Sequence, residues 1–305
     1  MEKFELHILG CGSALPTTRH FPTSQVLNIR EKLFMIDCGE GSQIQLRRSR
    51  LKFSRLNHIF ISHLHGDHCF GLMGIISTFG LLGRTAELTI HAPEGAKRLF
   101  TPLLDFFCAH LPYTVSFHEF KPGEKPEVIY TDRSLTVTTI PLKHRLPCCG
   151  FLFAENQRQN HIIREMIDFY RIPTYELNKI KNGAGYTTAD GQDIPNNRLT
   201  RPSEPARRYA YCSDTVCIDT IVDQIKEVNL LFHEATFIHK DLPRAKETFH
   251  TTAAQAATIA KAANVKQLVI GHFSARYEDE TILLHEARAI FPNTLLAKES
   301  LCIPV

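Results

Sequence analysis

The stretch "HLHGDH" (63–68) places three histidines and an aspartate in six positions, directly after the apolar run "NHIFIS" (57–62). Because the chain contains 16 histidines, this hexamer on its own could be polar surface. In an extended segment, residues two apart point to the same side. His63 and His65 can therefore bind one metal ion at the end of the preceding strand.

The second half of the hexamer adds two more donors. Gly66 lets the chain turn sharply, so that Asp67 and His68 face a second metal site nearby. Imidazole and carboxylate donors without a neighbouring thiolate suit zinc in a catalytic site rather than in a closed structural one. The hexamer therefore predicts part of a two-metal centre.

Two metal ions need further ligands, which must also lie where strands end, because side chains converge there. Three positions meet this condition: His144 follows "LTVTTIPLK", Asp214 follows "YAYCS" and His272 follows "LVIG". A single histidine after a strand is usually structural, but four strand ends with the same character favour a shared metal centre.

The remaining pattern indicates a layered α/β protein. Arg30-Glu31 separates two short apolar runs and predicts a hairpin turn. Alternating or apolar runs predict strands at "FELHIL", "SQVLNI", "KLFMI", "NHIFIS", "ELTIHA", "TVSFHEF", "LTVTTIPL", "RYAYCS", "VNLLFH" and "KQLVIGH". Helices are predicted from Gly41 and over 72–82, 96–107, 252–263 and 278–290.

Residues 155–205 differ from the rest of the chain. They contain many Gly, Pro and Asn and few large apolar residues, so this composition predicts little buried core. A segment of this length is too long for an ordinary loop. We interpret it either as a disordered linker or as an arm inserted into a single domain that spans residues 1–305.

Composition places the chain among ordinary globular proteins, with 43% hydrophobic and 22% charged residues. No apolar run is long enough for a membrane span, and the N-terminus does not resemble a signal peptide. The nine cysteines lack paired metal spacing, which favours reduced thiols in a cytoplasmic protein. Cys11, Cys38 and Cys212 are expected to be small buried residues.

Charge is more informative locally than globally, since the net charge is only +3. The stretch 42–55 contains five basic residues and no acidic one. It is interpreted either as the solvated end of a helix or as a phosphate-binding surface. The five basic residues are Arg47, Arg48, Arg50, Lys52 and Arg55.

Seven motifs together resemble one family. The hexamer fits the HxHxDH motif of the metallo-β-lactamase superfamily, and its companions resemble tRNase Z, the endonuclease that trims the 3′ end of precursor tRNA. Cys11 replaces the usual threonine in the first motif. The motifs, in the family's order and approximate spacing over essentially the whole chain, are "LGCGSALPT", "DCGEGSQIQL", "HLHGDHCFGL", "PLKHR", "YCSDT", "HEATF" and "GHFSARY".

The resemblance implies a four-layer αββα sandwich with an inserted projecting arm, and two Zn²⁺ ions per chain. One zinc ion would be bound by His63, His65 and His144. The other would be bound by Asp67, His68 and His272, with Asp214 bridging both ions. This assignment agrees with the one reached from the strand ends.

The resemblance also implies roles in catalysis. Glu234 of "HEATF" would pair with His250, and His250 would protonate the leaving 3′ oxygen as the general acid. Asp67 would orient the attacking water and accept its proton. Asp37 could support the metal ligands through hydrogen bonds or could cap the turn before Gly39; its sequence position leaves both roles open.

Partners follow from the same resemblance. The arm would bind precursor tRNA at the elbow, using Lys179, Lys181, Arg198 and Arg201 for phosphate contacts, and the enzyme would be a homodimer. Two other functions stay open: a hydrolase of small molecules on the same fold, such as a phosphodiesterase, and an inactive RNA-binding module. Metal analysis and precursor tRNA cleavage would separate these three possibilities.

Overall fold

Two seven-stranded β-sheets form the framework of the computed structural model, which describes residues 2–305. The first sheet has the order β18-β1-β2-β3-β4-β5-β6, and its strands from β3 to β6 are parallel. Its strands are β1 (Phe4–Gly10), β2 (Ser24–Ile29), β3 (Lys32–Cys38), β4 (Leu56–Phe60), β5 (Leu88–Pro93), β6 (Val115–Phe120) and β18 (Cys302–Pro304).

The second sheet has the order β17-β16-β15-β14-β9-β8-β7, with β14 to β17 parallel. In both sheets the parallel strands end at a common edge, which is where polar side chains from different strands can meet. Its strands are β7 (Val128–Thr131), β8 (Leu135–Pro141), β9 (Cys149–Glu155), β14 (Arg208–Cys212), β15 (Leu230–Glu234), β16 (Leu268–Gly271) and β17 (Thr294–Leu296).

Aromatic side chains fill the space between the two sheets. The Phe60 ring packs against Phe153 and Phe151, with centroids 5.3 and 5.7 Å apart, and Phe34 packs against Phe153 at 6.2 Å. The buried Tyr209 hydroxyl donates to Gln25 Oε1 across the same interface at 2.5 Å. These contacts hold the two sheets face to face, which fixes the ends of their strands relative to one another.

Helices cover the outer face of each sheet. Leu72, Ile75 and Ile76 of α3 pack with α1 and α4 onto the first sheet, and α9 and α10 lie on β15 to β17. The resulting order of layers is αββα, as the family resemblance implied. The helices of this part are α1 (Ser42–Arg48), α2 (Gly66–Cys69), α3 (Gly71–Leu81), α4 (Ala96–Phe107), α8 (Leu242–Thr248), α9 (Ala253–Ala262) and α10 (Thr281–Arg288).

The predicted hairpin and helices are present: the helix over 96–107 matches at both ends, and the others differ by one to three residues. Arg30 and Glu31 both adopt positive φ values, 51° and 67°, as a two-residue hairpin turn requires. Thr252 caps α9 through a reciprocal capping box with Gln255. Four strands of these sheets were not predicted: β7, β9, β17 and β18.

The chain divides into two compact units. The main unit contains the residues up to Thr131, Thr136–Phe153 and Arg208–Val305; the inserted unit contains Asp132–Leu135 and Ala154–Arg207. The inserted unit has two small two-stranded sheets and three short helices. These are β10 (His161–Ile162), β13 (Thr200–Arg201), β11 (Tyr186–Thr187), β12 (Asp193–Ile194), α5 (Arg164–Phe169), α6 (Leu177–Lys181) and α7 (Asn196–Leu199).

The expectation that this segment has little buried core is wrong. Five aliphatic side chains form a buried cluster of its own: Ile167, Ile172, Ile180, Ile194 and Leu199. Polar contacts add to it, since the Asn196 amide donates to the carbonyls of Ile180 and Ala184 at 2.6 and 2.7 Å. The segment is therefore ordered rather than a linker without structure.

Glu155 and Arg207 join the two chain ends of the inserted unit. The Arg207 guanidinium donates to both carboxylate oxygens of Glu155, at 2.9 and 3.0 Å, and the Arg207 backbone N–H donates to Oε2 at 3.1 Å. Such bidentate pairing fixes geometry better than a single contact does.

Across residues 2–305, none of the helices has the length and apolar character that a membrane crossing needs.

Candidate metal centre and active site

Side chains from both sheets meet at the edge where the parallel strands end. His63, His65, Asp67 and His68 follow β4, and His144, Asp214 and His272 follow β8, β14 and β16. Their potential ligand atoms form two groups within which all atoms lie within 4.8 Å of one another. The structure therefore brings together all seven residues that the sequence singled out as metal ligands.

The first group contains His63, His65, His144 and Asp214. His65 Nδ1 lies 2.9 Å from His63 Nε2 and 3.2 Å from His144 Nε2. Asp214 Oδ2 lies 3.8 Å from both His63 Nε2 and His144 Nε2. Three imidazole nitrogens and one carboxylate oxygen thus face a common point.

The second group contains Asp67, His68, His272 and again Asp214. Asp67 Oδ2 lies 3.3 Å from His68 Nε2 and 3.4 Å from His272 Nε2. Asp214 Oδ1 lies 3.3 and 3.2 Å from the same two nitrogens. Asp214 therefore presents one oxygen to each group, which is the arrangement of a carboxylate shared by two cations.

Gly66 lies where the extended chain at His65 turns into α2. It does not adopt a positive φ, and it begins the short helix α2. A Cβ at Gly66 would instead collide with the ring of Phe70 one turn later. The backbone strain lies elsewhere: Asp37 and His272 have φ values of 52° and 62°, an uncommon conformation for residues other than glycine.

Asp37 orients His68. The Asp37 carboxylate is fully buried; its Oδ2 lies 2.7 Å from His68 Nδ1 and accepts from the Tyr211 hydroxyl at 2.5 Å. It also accepts from Ser62, whose backbone N–H lies 2.7 Å from Oδ1. Of its two possible roles, the structure favours support of the ligands, because a carboxylate at Nδ1 fixes which nitrogen of His68 faces the site.

Three of the other four ligand histidines are also oriented through Nδ1, by hydroxyl or carbonyl oxygens. Nδ1 of His63 lies 3.0 Å from Ser62 Oγ, and Nδ1 of His144 lies 3.0 Å from the Phe249 carbonyl oxygen. Nδ1 of His272 lies 2.9 Å from the hydroxyl oxygen of Thr236. Each of these rings therefore points Nε2 toward the centre of the site.

Electrostatics favour a cation at this position. Burial lowers the pKa of His63 and of His144, which keeps both imidazoles neutral as metal binding requires. Burial opposes charge on His68 as well, but Asp214, Asp67 and Asp37 outweigh it and raise the His68 pKa well above its usual value. Three carboxylates lie near this one ring, so negative charge exceeds positive charge at this position.

His68 Nε2 supplies a direct test of whether the residues fit a metal ion. This nitrogen is buried, and within the described part of the chain it has no hydrogen-bond partner, although it faces two carboxylates. A buried polar atom without a partner is costly unless something else satisfies it. A cation satisfies both this nitrogen and the surplus carboxylates.

Glu234 and His250 lie beside the two groups as a pair. His250 Nδ1 is 2.9 Å from Glu234 Oε1, and the fully buried Glu234 also accepts from Thr215 N and from the Thr236 hydroxyl, at 3.0 and 2.7 Å. Burial alone would lower the pKa of His250, but the Glu234 charge and hydrogen bond raise it to about 9. The Glu234 carboxylate therefore favours the protonated form of His250.

A pocket of about 580 Å³ opens over this centre. His65, Asp67, His144, Asp214, His250 and His272 all line it. Its wall also contains Arg145, Arg244 and Arg276, which the sequence analysis did not single out. Arginines in a wall next to a metal centre suit a substrate with several phosphates. Arg145 and Arg276 lie inside the motifs "PLKHR" and "GHFSARY". These motifs could therefore have pointed to both arginines as site residues.

The five basic residues of the stretch 42–55 are exposed, and none of them lines this pocket. Arg55 pairs with Glu31 at 2.6 Å, and the Arg48 guanidinium lies 5.8 Å from the centroid of the Phe21 ring. Arg47 and Arg48 occupy the last turn of α1, where cations also suit the helix dipole. The structure is thus compatible with either interpretation of this stretch.

Comparison with known structures defines the class. The metallo-β-lactamase fold protein YhfI from Bacillus subtilis superposes with a TM-score of 0.69, covering 99% of both chains at 16% identity. The human short form of tRNase Z gives a TM-score of 0.72 at 26% identity, covering 99% of this chain and 100% of that one. The protein is a hydrolase with the metallo-β-lactamase fold, and fold and donor set imply bound metal ions.

Sequence comparison gives the family. Ribonuclease Z from Bacteroides thetaiotaomicron is 73% identical over 305 residues, which cover all of this chain and 96% of that protein. The family model described as "Anti-Pycsar protein Apyc1" matches residues 4–163, a range that ends before Asp214, Glu234 and His272. The chain belongs to the ribonuclease Z family, and it is a tRNA 3′-processing endoribonuclease.

Proposed function

We propose that the protein cleaves the 3′ trailer from precursor tRNA using two Zn²⁺ ions per chain. The products would be a tRNA with a 3′-hydroxyl and a trailer with a 5′-phosphate. The position of Asp214 carries this proposal, since its two carboxylate oxygens each face one group of ligand atoms. The zinc-bound state of PqqB from Methylobacterium extorquens, whose fold is similar at 11% identity, fits the choice of metal.

We assign one ion to His63, His65 and His144 and the other to Asp67, His68 and His272, with Asp214 shared. Zinc bound there would supply Lewis acidity that activates water and neutralises charge on the phosphate. The neutral imidazoles and the unpartnered His68 Nε2 support this assignment.

Asp67 is proposed as the base. Its Oδ2 lies between His68 and His272, with the pocket on its open side. Burial would raise the pKa of Asp67, but the charge of His68 and the hydrogen bond from His272 hold it far below its usual range. The carboxylate is therefore ionised and can orient the attacking water, and its proposed role as proton acceptor rests on its position rather than on its basicity.

His250 is proposed as the general acid. The leaving group is the 3′ oxygen of the tRNA, a poor leaving group unless it is protonated. The Glu234 carboxylate holds His250 Nδ1 at 2.9 Å and favours the imidazolium, so that Nε2 of the ring, which lines the pocket, can donate the proton. Glu234 itself acts through His250 as a positioning residue.

Two measurements test this proposal together. Elemental analysis of protein purified without chelator should give at least two zinc ions per chain, two of which are lost when the seven assigned ligands are replaced. Mapping both ends of the products from a precursor tRNA should place the cut between the tRNA body and the trailer, with a 5′-phosphate on the trailer. A single metal per chain with Asp67 and His68 dispensable for binding would refute the two-metal assignment. Hydrolysis of small phosphodiesters without any cleavage of precursor tRNA would instead favour the small-molecule hydrolase.

The inserted unit is proposed to bind the tRNA elbow. Its exposed cations Lys179, Arg198 and Arg201, together with the half-buried Lys181, can contact phosphates. Phe169 and Tyr175 are also exposed on this unit, and aromatic rings of this kind can stack on unpaired bases. In "KIKNG", Ile180 is fully buried in the cluster and Gly183 ends α6 with a φ of 101°, which presents the neighbouring lysines on an ordered turn.

A homodimer is the proposed assembly. Leu99, Leu103, Phe106 and Phe107 recur on one face of α4 and are all exposed, Phe106 by 79%. A monomer rarely exposes such an apolar helix face to solvent, and a second copy of the chain is the simplest partner that would bury it. Phe106→Glu with Phe107→Glu should convert a dimer into a monomer by sedimentation velocity. A wild-type protein that is monomeric at micromolar concentration would exclude this assembly.

A cytoplasmic location is proposed because all nine cysteines are unpaired. A reducing compartment keeps thiols in this state. Cell fractionation is the test, and recovery of the protein from an oxidising compartment would contradict the proposal.

A further inference from the structure

Two groups of cysteine, histidine and carboxylate side chains lie outside the metal centre. One contains Cys11, His20 and Glu299, and the other contains Glu5, His7 and Cys302. Both offer a soft sulfur donor that the catalytic ligand set lacks. Their geometries differ in a way that decides which of them can accept an ion.

The first group is closed by its own hydrogen bonds. His20 Nδ1 lies 3.3 Å from the Cys11 sulfur and 3.0 Å from Glu299 Oε2, and Glu299 Oε1 accepts from the backbone N–H of Phe21 at 3.0 Å. His20 Nε2 faces Glu280 at 3.2 Å. Cys11 is fully buried, so this group is a satisfied network that holds the loop before β2.

The second group lies on the outermost strand pair of the first sheet. His7 on β1 is directly opposite Cys302 on β18, and Glu5 precedes His7 by two residues and therefore points to the same face. Leu6 and Ile303, which alternate with them, are buried in the sheet's other face. Strand register alone thus places the three donors side by side.

The distances in this group leave room for an ion. His7 Nε2 lies 3.6 Å from Glu5 Oε2 and 3.8 Å from the Cys302 sulfur, longer than the contacts of His20 that close the first group. A tetrahedral ion with bonds of about 2.0 Å to nitrogen and about 2.3 Å to sulfur separates neighbouring ligand atoms by roughly 3.3–3.6 Å. The two distances from His7 Nε2 therefore need to shorten by only a few tenths of an ångström, and all three donor atoms lie within 4.8 Å of one another.

The surroundings suit binding from solvent. Cys302 is exposed, so an ion can enter and water can complete the coordination. The Asn28 amide donates to Glu5 Oε2 at 3.3 Å and so orients the carboxylate. Lys3, the nearby cation, is already paired with Glu31 at 2.8 Å.

We propose that Glu5, His7 and Cys302 form a separate binding site for a thiophilic divalent cation of the zinc class. On binding, the Cys302 thiol releases its proton to solvent and the thiolate sulfur bonds to the metal. The bound ion would cross-link the C-terminal strand β18 to β1. Neither the site nor its test depends on how many ions the catalytic centre holds.

Cadmium titration of the full-length protein distinguishes this site from the catalytic one. A thiolate bound to cadmium gives a sulfur-to-metal charge-transfer absorption in the ultraviolet, and the catalytic ligands include no sulfur. The wild type should develop this absorption with one equivalent of thiolate-bound metal. Cys302→Ser should lose it completely, and His7→Gln should lose it at the cadmium concentration that saturates the wild type.

Cys108→Ser is the matched control, because Cys108 is also partly exposed but belongs to none of the donor groups found in residues 2–305. It should keep the absorption. With zinc, Cys302→Ser should hold one equivalent less than the wild type and Cys108→Ser, while precursor tRNA cleavage stays unchanged. The proposal is overturned if the wild type shows no thiolate absorption, if Cys302→Ser retains it, or if Cys108→Ser removes it.

Discussion

The main unit and the inserted unit are stabilised on very different scales. The site residues of the main unit follow strands of two seven-stranded sheets whose aromatic interior is closely packed. The inserted unit has strands of two residues and a cluster of five buried aliphatic side chains. Chemistry at a phosphorus atom needs donors held within a fraction of an ångström, and only the larger core can supply that rigidity. A surface that contacts phosphates tolerates a smaller core.

The largest expected effect follows from removing the side chain that both ligand groups share. Asp214→Ala should reduce precursor tRNA cleavage by more than about 10³-fold, beyond the loss caused by removing one electrostatic donor. It should also lower the zinc content, because each group loses an oxygen. Asp223→Ala, which removes an exposed aspartate of the same unit, is the control. Normal metal content in Asp214→Ala would mean that this residue is not shared.

The next effect separates proton transfer from metal binding. His250→Ala should slow precursor tRNA cleavage by about 10²–10⁴-fold while zinc content and tRNA affinity stay nearly unchanged. The defect should shrink on an activated aryl phosphodiester, whose leaving group needs little protonation. His239→Ala removes an exposed histidine as a control. Equal losses on both substrates would refute the general-acid role.

The dependence of the cleavage rate on pH tests the same general-acid role of His250. Glu234 raises the pKa of His250 to about 9, so the protonated ring dominates below that pH and the rate should fall as pH rises through it. Glu234→Gln removes the charge and should move this fall to lower pH. Metal cations nearby lower the pKa as well, so the difference between variants is the measurement. An unchanged alkaline limb would exclude this coupling.

A third effect concerns the inserted unit as a whole. Replacing residues 160–203 by a short Gly/Ser linker should leave a folded, zinc-loaded main unit that still cleaves an aryl phosphodiester. The efficiency of precursor tRNA cleavage should fall far more, chiefly through a higher KM, because contacts distant from the phosphorus bind ground and transition states alike. Losing Lys179, Lys181, Arg198 and Arg201 should reduce the salt slope of tRNA binding by up to about 3. A wild-type rate and slope on tRNA would show that this unit does not bind it.

The smallest effect compares one isoleucine in each unit. Ile180 and Ile90 are both fully buried. Ile90→Ala should lower the free energy of unfolding of the main unit by about 2–5 kcal/mol. Ile180→Ala should instead loosen the inserted unit locally, with raised amide exchange there and an unchanged rate on the aryl phosphodiester. If Ile180→Ala slowed the cleavage of precursor tRNA and of the aryl phosphodiester equally, a change in the inserted unit would also disturb the main unit.

Local chemistry made much of the main unit predictable. The runs around Arg30-Glu31 could only pair as a hairpin, and the polar residues after β4, β8, β14 and β16 marked one edge of the fold. The core of the inserted unit was missed because strands such as Tyr186–Thr187 are too short to produce a period. Gly66 lies at the predicted turn, where the extended chain at His65 enters α2.

The sequence by itself determined which donors exist and which strands carry them, because both follow from residue type and local periodicity. Tertiary structure alone decided how they meet. Asp37 reaches His68 from 31 residues away, and Glu234 reaches His250 from 16. Asp214 joins two ligand groups that span residues 63 to 272. No periodicity encodes such distances: the first two contacts form between elements on the same sheet, and the third results from packing one sheet against the other.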